Sequence, residues 1–277
     1  MAANPRLSAA VPLLMGAALL LQACDAVDST GASVASLFSA AAPPAPPPPT
    51  AADLSAAGMD ALRQRDWKAA LAALVPAASQ GDVQAQVALG SMYFTGIGVQ
   101  RDFADASHWL TPAAEGGDAT AQYMLGRITD LGGTGVLQDR KAAAGWYLRA
   151  SEQGNAEAQY HLGLLIQNGT GIPQDPALAL SWFRRAADAG NAQAMTAIGR
   201  IYAEGRGVTE NNRLAMEWYR RGAEAGDTDA MTDIGEAYYM GEGVPQSRTI
   251  ARQWLERGAA AGNERAAQRL AMPELPD

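Results

Sequence analysis

Few side chains in this sequence are equipped for bond-making chemistry. Cys24 is the only cysteine, so no internal disulfide can form. The two histidines, His108 and His161, are far apart in sequence. Both are expected to be partly buried, which nearly removes His-based metal sites and acid–base catalysis. No nucleophile, base and orienting group can be assembled from the remaining residues. The chain therefore reads as non-catalytic, with no cofactor and no metal. Glycine pairs such as Gly96-Ile97-Gly98 and Gly169-Thr170-Gly171 invite a phosphate-cradling reading. That reading fails, because no strand precedes them and every repeat carries them. What remains is recognition chemistry, carried by tyrosines and arginines, and it depends on the elements that hold them.

Those elements repeat. Trp109, Trp146, Trp182, Trp218 and Trp254 follow one another at spacings of 37, 36, 36 and 36 residues. A fixed period in this range means stacked supersecondary units. The unit ends are marked by Gly81-Asp82, Gly117-Asp118, Gly154-Asn155, Gly190-Asn191, Gly226-Asp227 and Gly262-Asn263. Glycine suits the left-handed position just past a helix, and Asp or Asn can cap the next helix at once. Each unit is thus two helices, A then B, with almost no loop between B and the next A.

Helix A carries Ala85, Leu89 and Gly90, then Ala121, Leu125 and Gly126, and so on to Ala230, Ile234 and Gly235. Spacings of four place these on one face. A mid-helix glycine costs about 1 kcal/mol relative to alanine, so its repetition implies close helix–helix approach. Helix B starts near Asp102, Asp139, Asp175, Asn211 and Ser247. Its Trp is expected to be a buried plate between units, with truncation to Ala costing roughly 3–5 kcal/mol. Pro76 and Pro112 fall inside helix B, where later units have Arg149, Arg185, Arg221 and Arg257. A prolyl ring there is expected to bend the helix and make the first two units stack differently. The arginine column is expected to be an exposed face paired with acidic neighbours.

The A-x-x-x-L-G core of helix A, the G-x-G-V loop and the A-x-x-W core of helix B resemble the Sel-1-like repeat, a tetratricopeptide-type helical hairpin. The resemblance runs from Val83 to about Leu270. It implies an all-α fold, an α-solenoid of about six stacked antiparallel helix pairs with a 36-residue period and a right-handed superhelix. Residues 53–81 form a degenerate capping unit with Ala73 where Trp is expected. Full repeats span 82–117, 118–154, 155–190, 191–226 and 227–262, a terminal helix 263–271 and a tail 272–277. The resemblance also implies an adaptor that assembles protein complexes.

In such stacks helix A lines the concave side. Counting 100° per residue from the core Ala, positions two, six and nine point away from the core. This column varies from unit to unit, and it supplies the candidate protein-binding residues Tyr123, Arg127, Tyr160, Arg200, Glu236 and Tyr239. Tyrosine and arginine are enriched at binding hot spots.

The segment before the repeats has its own reading. An apolar run from Leu7 to Leu21 follows Arg6 and is too short to span a membrane with its flanks. It ends in Leu21-Gln22-Ala23-Cys24, which resembles the lipobox of bacterial lipoprotein precursors. That resemblance implies removal of residues 1–23, lipidation of Cys24 and a membrane anchor, with the repeat domain in the periplasm and the choice of membrane open. Residues 24–52 form a tether rich in Ala, Ser and Pro, extended through Pro43–Pro49. The formal charge of −8 repels phosphate backbones, so nucleic acid is not expected as a partner. The first reading is a lipid-anchored envelope scaffold that binds other proteins. The second is a glycan-contacting module for peptidoglycan or exported polysaccharide, and the remote third is a hydrolase.

Overall fold

Each helix begins where a short polar side chain satisfies free backbone donors. The computed structural model describes residues 47–272. Helices are α1 (Ala51–Arg63), α2 (Trp67–Ser79), α3 (Val83–Thr95), α4 (Phe103–Glu115), α5 (Ala119–Leu131), α6 (Arg140–Glu152) and α7 (Ala156–Asn168). They continue as α8 (Pro176–Asp188), α9 (Ala192–Glu204), α10 (Asn212–Glu224), α11 (Thr228–Met240), α12 (Arg248–Ala260) and α13 (Glu264–Leu270). The A helices are odd-numbered and the B helices even-numbered. Cys24 and the leader lie outside the described residues, as does the tether up to residue 46. Ala51 and Ala52, expected at the end of the tether, instead open α1 behind a Thr50–Asp53 capping box.

The boundary signals act as anticipated. Asp82, Asp118, Asn155, Asn191, Asp227 and Asn263 each cap an A helix through a side chain that accepts a backbone N–H. The glycines before them all have positive φ, from 87° to 100°. Asp102, Asp139, Asp175, Asn211 and Ser247 cap the B helices. Helices A and B of a unit pack closely, and each B packs on the next A, so the chain is an all-α solenoid. Neighbouring A helices also touch, as α1 with α3, α3 with α5, α5 with α7 and α9 with α11. That crowding makes the A layer the inner one.

The core corrects one expectation. Trp182 is buried as expected, but Trp109, Trp146, Trp218 and Trp254 are only half-buried. The residue after the Trp is the one buried in every unit, as Leu110, Tyr147, Phe183, Tyr219 and Leu255, each at 6% exposure or less. These side chains fill the space left by Gly90, Gly126, Gly163, Gly199 and Gly235. A methyl at Gly126 would sit 2.6 Å from the Tyr147 ring, and one at Gly163 2.7 Å from that of Phe183. Leu74 against Gly58 repeats the lock in the first unit. The rings of Trp146, Trp182, Trp218 and Trp254 lie one step round helix B, under guanidinium groups.

Those groups are the expected arginine ridge, and its pairing is also different. Arg149, Arg185, Arg221 and Arg257 stack on Trp146, Trp182, Trp218 and Trp254 at 4.8, 4.3, 4.1 and 4.2 Å from the ring centroids. A cation over an indole face is attracted by the ring quadrupole. This i,i+3 stack takes the place of acidic pairing. Pro76 and Pro112 leave α2 and α4 at 13 residues, the same length as the other full helices. Each ring falls in the last turn, so it interrupts the hydrogen-bond ladder without ending the helix.

Candidate functional site: the inner face of the solenoid

The A helices meet in a fixed register. With the core Ala as zero, the residue at position six of one A helix faces positions minus one and three of the next. Arg200 shows it: its Nε donates to Asp233 at 2.7 Å and its Nη2 to Asp229 at 3.1 Å. Glu236, one unit on, pairs with Arg265 across 3.5 Å. Arg265 also bonds Asp233, so that carboxylate, only 8% exposed, holds two guanidiniums. Asn263 donates to Asp229 at 2.7 Å. Burial works against the Asp229 charge, but the bonds from Asn263 and Arg200 outweigh it and hold the carboxyl below the usual range. Burial raises the Glu236 carboxyl against the pull of Arg265. Arg269 stacks on Tyr239 at 4.1 Å.

Two units earlier the same register is filled differently. Arg127 stands at position six of α5, as Arg200 does in α9. Its Nη1 donates to the Tyr123 hydroxyl at 3.0 Å. Position three of the next A helix, Asp233 for Arg200, is His161 here. Position minus one is Glu157, and it accepts from Asn191 at 2.9 Å. Arg127 thus has no carboxylate within ion-pair distance among the described residues.

His161 is half-buried in an aromatic cluster. Its ring stacks on Tyr147 at 5.3 Å, with Tyr160 at 5.3 Å and Tyr123 at 5.9 Å. Burial, reinforced by Arg127, pushes its imidazole down to about 4, so it is neutral at pH 7. His108, expected to be partly buried, is exposed. Burial also raises the Tyr160 and Tyr147 phenols. Tyr160 faces Thr196, Arg200 and Asp229 across a cavity of ≈ 210 Å³.

Of the six predicted inner-face residues, the structure brings Tyr123, Arg127 and Tyr160 into this cluster. It places Arg200 and Glu236 in the ion-pair ladder and Tyr239 under Arg269. The sequence reading missed His161 as a contact and Asp229, Asp233 and Arg265 as partners. The signal was present, as complementary charges about 33 residues apart. Nearer the N-terminus a cavity of ≈ 580 Å³ opens on the inner layer, lined by Met59, Leu62, Val83, Val87, Ala88 and Met92 among others. Among the described residues no helix is long and apolar enough to cross a membrane. Nor do they contain a group of three or more His, Cys, Asp or Glu placed for a metal.

The paired helices, the glycine locks and the inner register define a class: an α-helical repeat solenoid with a side-chain-lined inner face. The Sel1 repeat model matches residues 83–118, 119–155, 156–191, 192–227 and 228–263, and the chain belongs to the Sel1 repeat family. It is similar to a Sel1 repeat protein from Oxalobacter formigenes, at 32% identity and a TM-score of 0.73, over 79% of this chain and 86% of that one. It is also similar to c5321, a protective antigen present in uropathogenic Escherichia coli strains, at 31% identity and a TM-score of 0.70. That match covers 82% of this chain and 51% of the antigen, so the chain spans about half the antigen's length. The immunity protein Pa5087 from Pseudomonas aeruginosa shares the fold at 20% identity and a TM-score of 0.51, over 71% of this chain and 73% of that one. No curated protein matches the chain. Sel1 repeat proteins bind other proteins.

Proposed function

We propose that this protein is a non-catalytic scaffold of the bacterial cell envelope, anchored by lipid on Cys24, that binds another protein on its inner face. The observation that carries the binding role is the varying inner column. Core positions repeat from unit to unit, while the inner column changes, position two reading Val87, Tyr123, Tyr160, Thr196 and Thr232, and Tyr123, Arg127 and Tyr160 cluster half-buried in one place. Half-buried tyrosine and arginine lose little further entropy on docking and are common binding hot spots. The lipobox-like Leu21-Gln22-Ala23-Cys24 supports the anchor.

The test is a pull-down with the full chain, tagged at its C-terminus, from detergent-solubilised envelope proteins. It is run beside the variant Tyr123→Ala, Arg127→Ala, Tyr160→Ala. A partner held by the parent and lost by the variant, at unchanged helicity, supports the reading. Equal recovery by both moves the site off this face. Radiolabelled palmitate retained by the parent but not by Cys24→Ser checks the anchor.

A further inference from the structure

On the inner face the residue at position six of one A helix faces positions minus one and three of the next, and two units place an arginine there. At Arg200 the partners are Asp229 and Asp233. At Arg127 the sequence supplies His161 instead, and burial keeps that ring uncharged. The guanidinium is left with one neutral hydroxyl partner, Tyr123. Its Cζ lies 5.9 Å from the Phe94 centroid. A second arginine, Arg101, converges on the same ring at 6.0 Å and on Phe103 at 4.6 Å. Arg101 also has no carboxylate in ion-pair range among the described residues. Phe94 and Phe103 stack at 5.5 Å, so the pair of cations sits on an aromatic shelf. On the inner face this sets Arg127 apart from Arg200: Asp130 acts on Arg127 only at a distance, while Arg200 is ion-paired directly.

We propose that Arg127 and Arg101 form a receptor for an aspartate or glutamate side chain of the protein partner. The partner's carboxylate would supply the charge that Asp233 supplies to Arg200. This deepens the scaffold reading above and rests on it. The neighbouring apolar cavity supplies the second half of the motif. Val87 in its wall and Phe94 on the shelf are two turns apart on α3, about 10 Å at 1.5 Å per residue. An extended segment covers that in about three residues at 3.3 Å each. The segment recognised is therefore an extended peptide with one aliphatic residue and one acidic residue about three positions apart. Charge decides which end of the inner face it uses, because the arginines toward the C-terminus are already occupied.

The test uses a random dodecapeptide display library panned on the full chain in detergent, beside His161→Asp and Arg127→Gln. His161→Asp installs the missing carboxylate and closes the receptor from within. Helicity and urea midpoints check that both variants fold. The parent should select peptides carrying an acid about three positions from an aliphatic residue. A synthetic copy of a selected peptide should lose about tenfold or more in affinity when its acid becomes an amide, as for a hydrogen bond to a charged group. His161→Asp and Arg127→Gln should each show a similar loss. Selected peptides without acidic bias, or bound equally by His161→Asp, would overturn the receptor while leaving the scaffold reading in place. No selected peptide at all would also overturn it, and the pull-down would then decide the scaffold reading alone.

Discussion

The second and fourth matched repeats present the same arginine to different neighbours. Arg200 meets Asp229 and Asp233, and Arg265 continues the ladder to Glu236. Arg127 meets the Tyr123 hydroxyl and a neutral histidine that is itself packed among three tyrosines. The scaffold beneath is the same, down to a glycine on helix A locked against an aromatic on helix B. Equivalent backbones therefore carry one inner surface closed by internal ion pairs and one left open. A second difference runs in parallel. Gln86, Gln122 and Gln159 donate to the carbonyls of Ala78, Ala114 and Ser151 in the first three repeats. Met195 and Met231 take that position in the last two. In a solenoid each unit contacts mainly its neighbours, so such local changes accumulate without disturbing the fold.

The largest expected effect tests what the two regions share. Tyr147→Ala and Tyr219→Ala should each cost roughly 3–5 kcal/mol in urea unfolding, as for other buried aromatics. A clear inequality would show that the locks, and not only the inner surface, differ between the halves.

Next comes the ladder. Asp233→Ala strands two guanidiniums. Breaking a buried pair costs roughly 3–5 kcal/mol, and solvent at the 36% and 42% exposed arginines lowers that to about 2 kcal/mol. Arg127→Ala should cost under about 1 kcal/mol, because no ion pair is lost. Similar losses for the two would end the contrast between closed and open surfaces.

Acid separates the regions by pH window. The His161 imidazole titrates near 4 in the folded chain against 6.5 when free. The unfolded chain takes up that proton first, so stability is present above pH 6.5 and is lost as pH falls toward 4. The full loss is up to about 3 kcal/mol at 1.36 kcal/mol per unit. Asp229, held below its free value of 3.8, loses its contribution only below that. Urea midpoints from pH 7.5 to 4 should therefore fall in the parent and fall less in His161→Gln. An unchanged slope in the variant would remove the histidine from the account.

The smallest effect lies on helix B. Arg149→Ala removes one exposed stack on Trp146 and should cost about 0.5–1 kcal/mol. It should leave peptide binding on the inner face unchanged, measured with the same selected peptide. A loss there would point to a partner that spans both surfaces.

The sequence by itself determined the helix boundaries and the order of the units. Asp118 caps α5 and Gly117 turns the chain before it because both acts are settled within a few residues of backbone. The 36-residue period and the glycine at one register followed for the same reason. Tertiary structure decided which of two adjacent side chains on helix B is buried. Trp146 and Tyr147 differ by 100° around the axis, and only the neighbouring helix selects Tyr147 for the space over Gly126. It also decided that Arg200 is neutralised and Arg127 is not. Those partners stand 29 to 34 residues away, and proximity across the stack, rather than local preference, sets which charges meet.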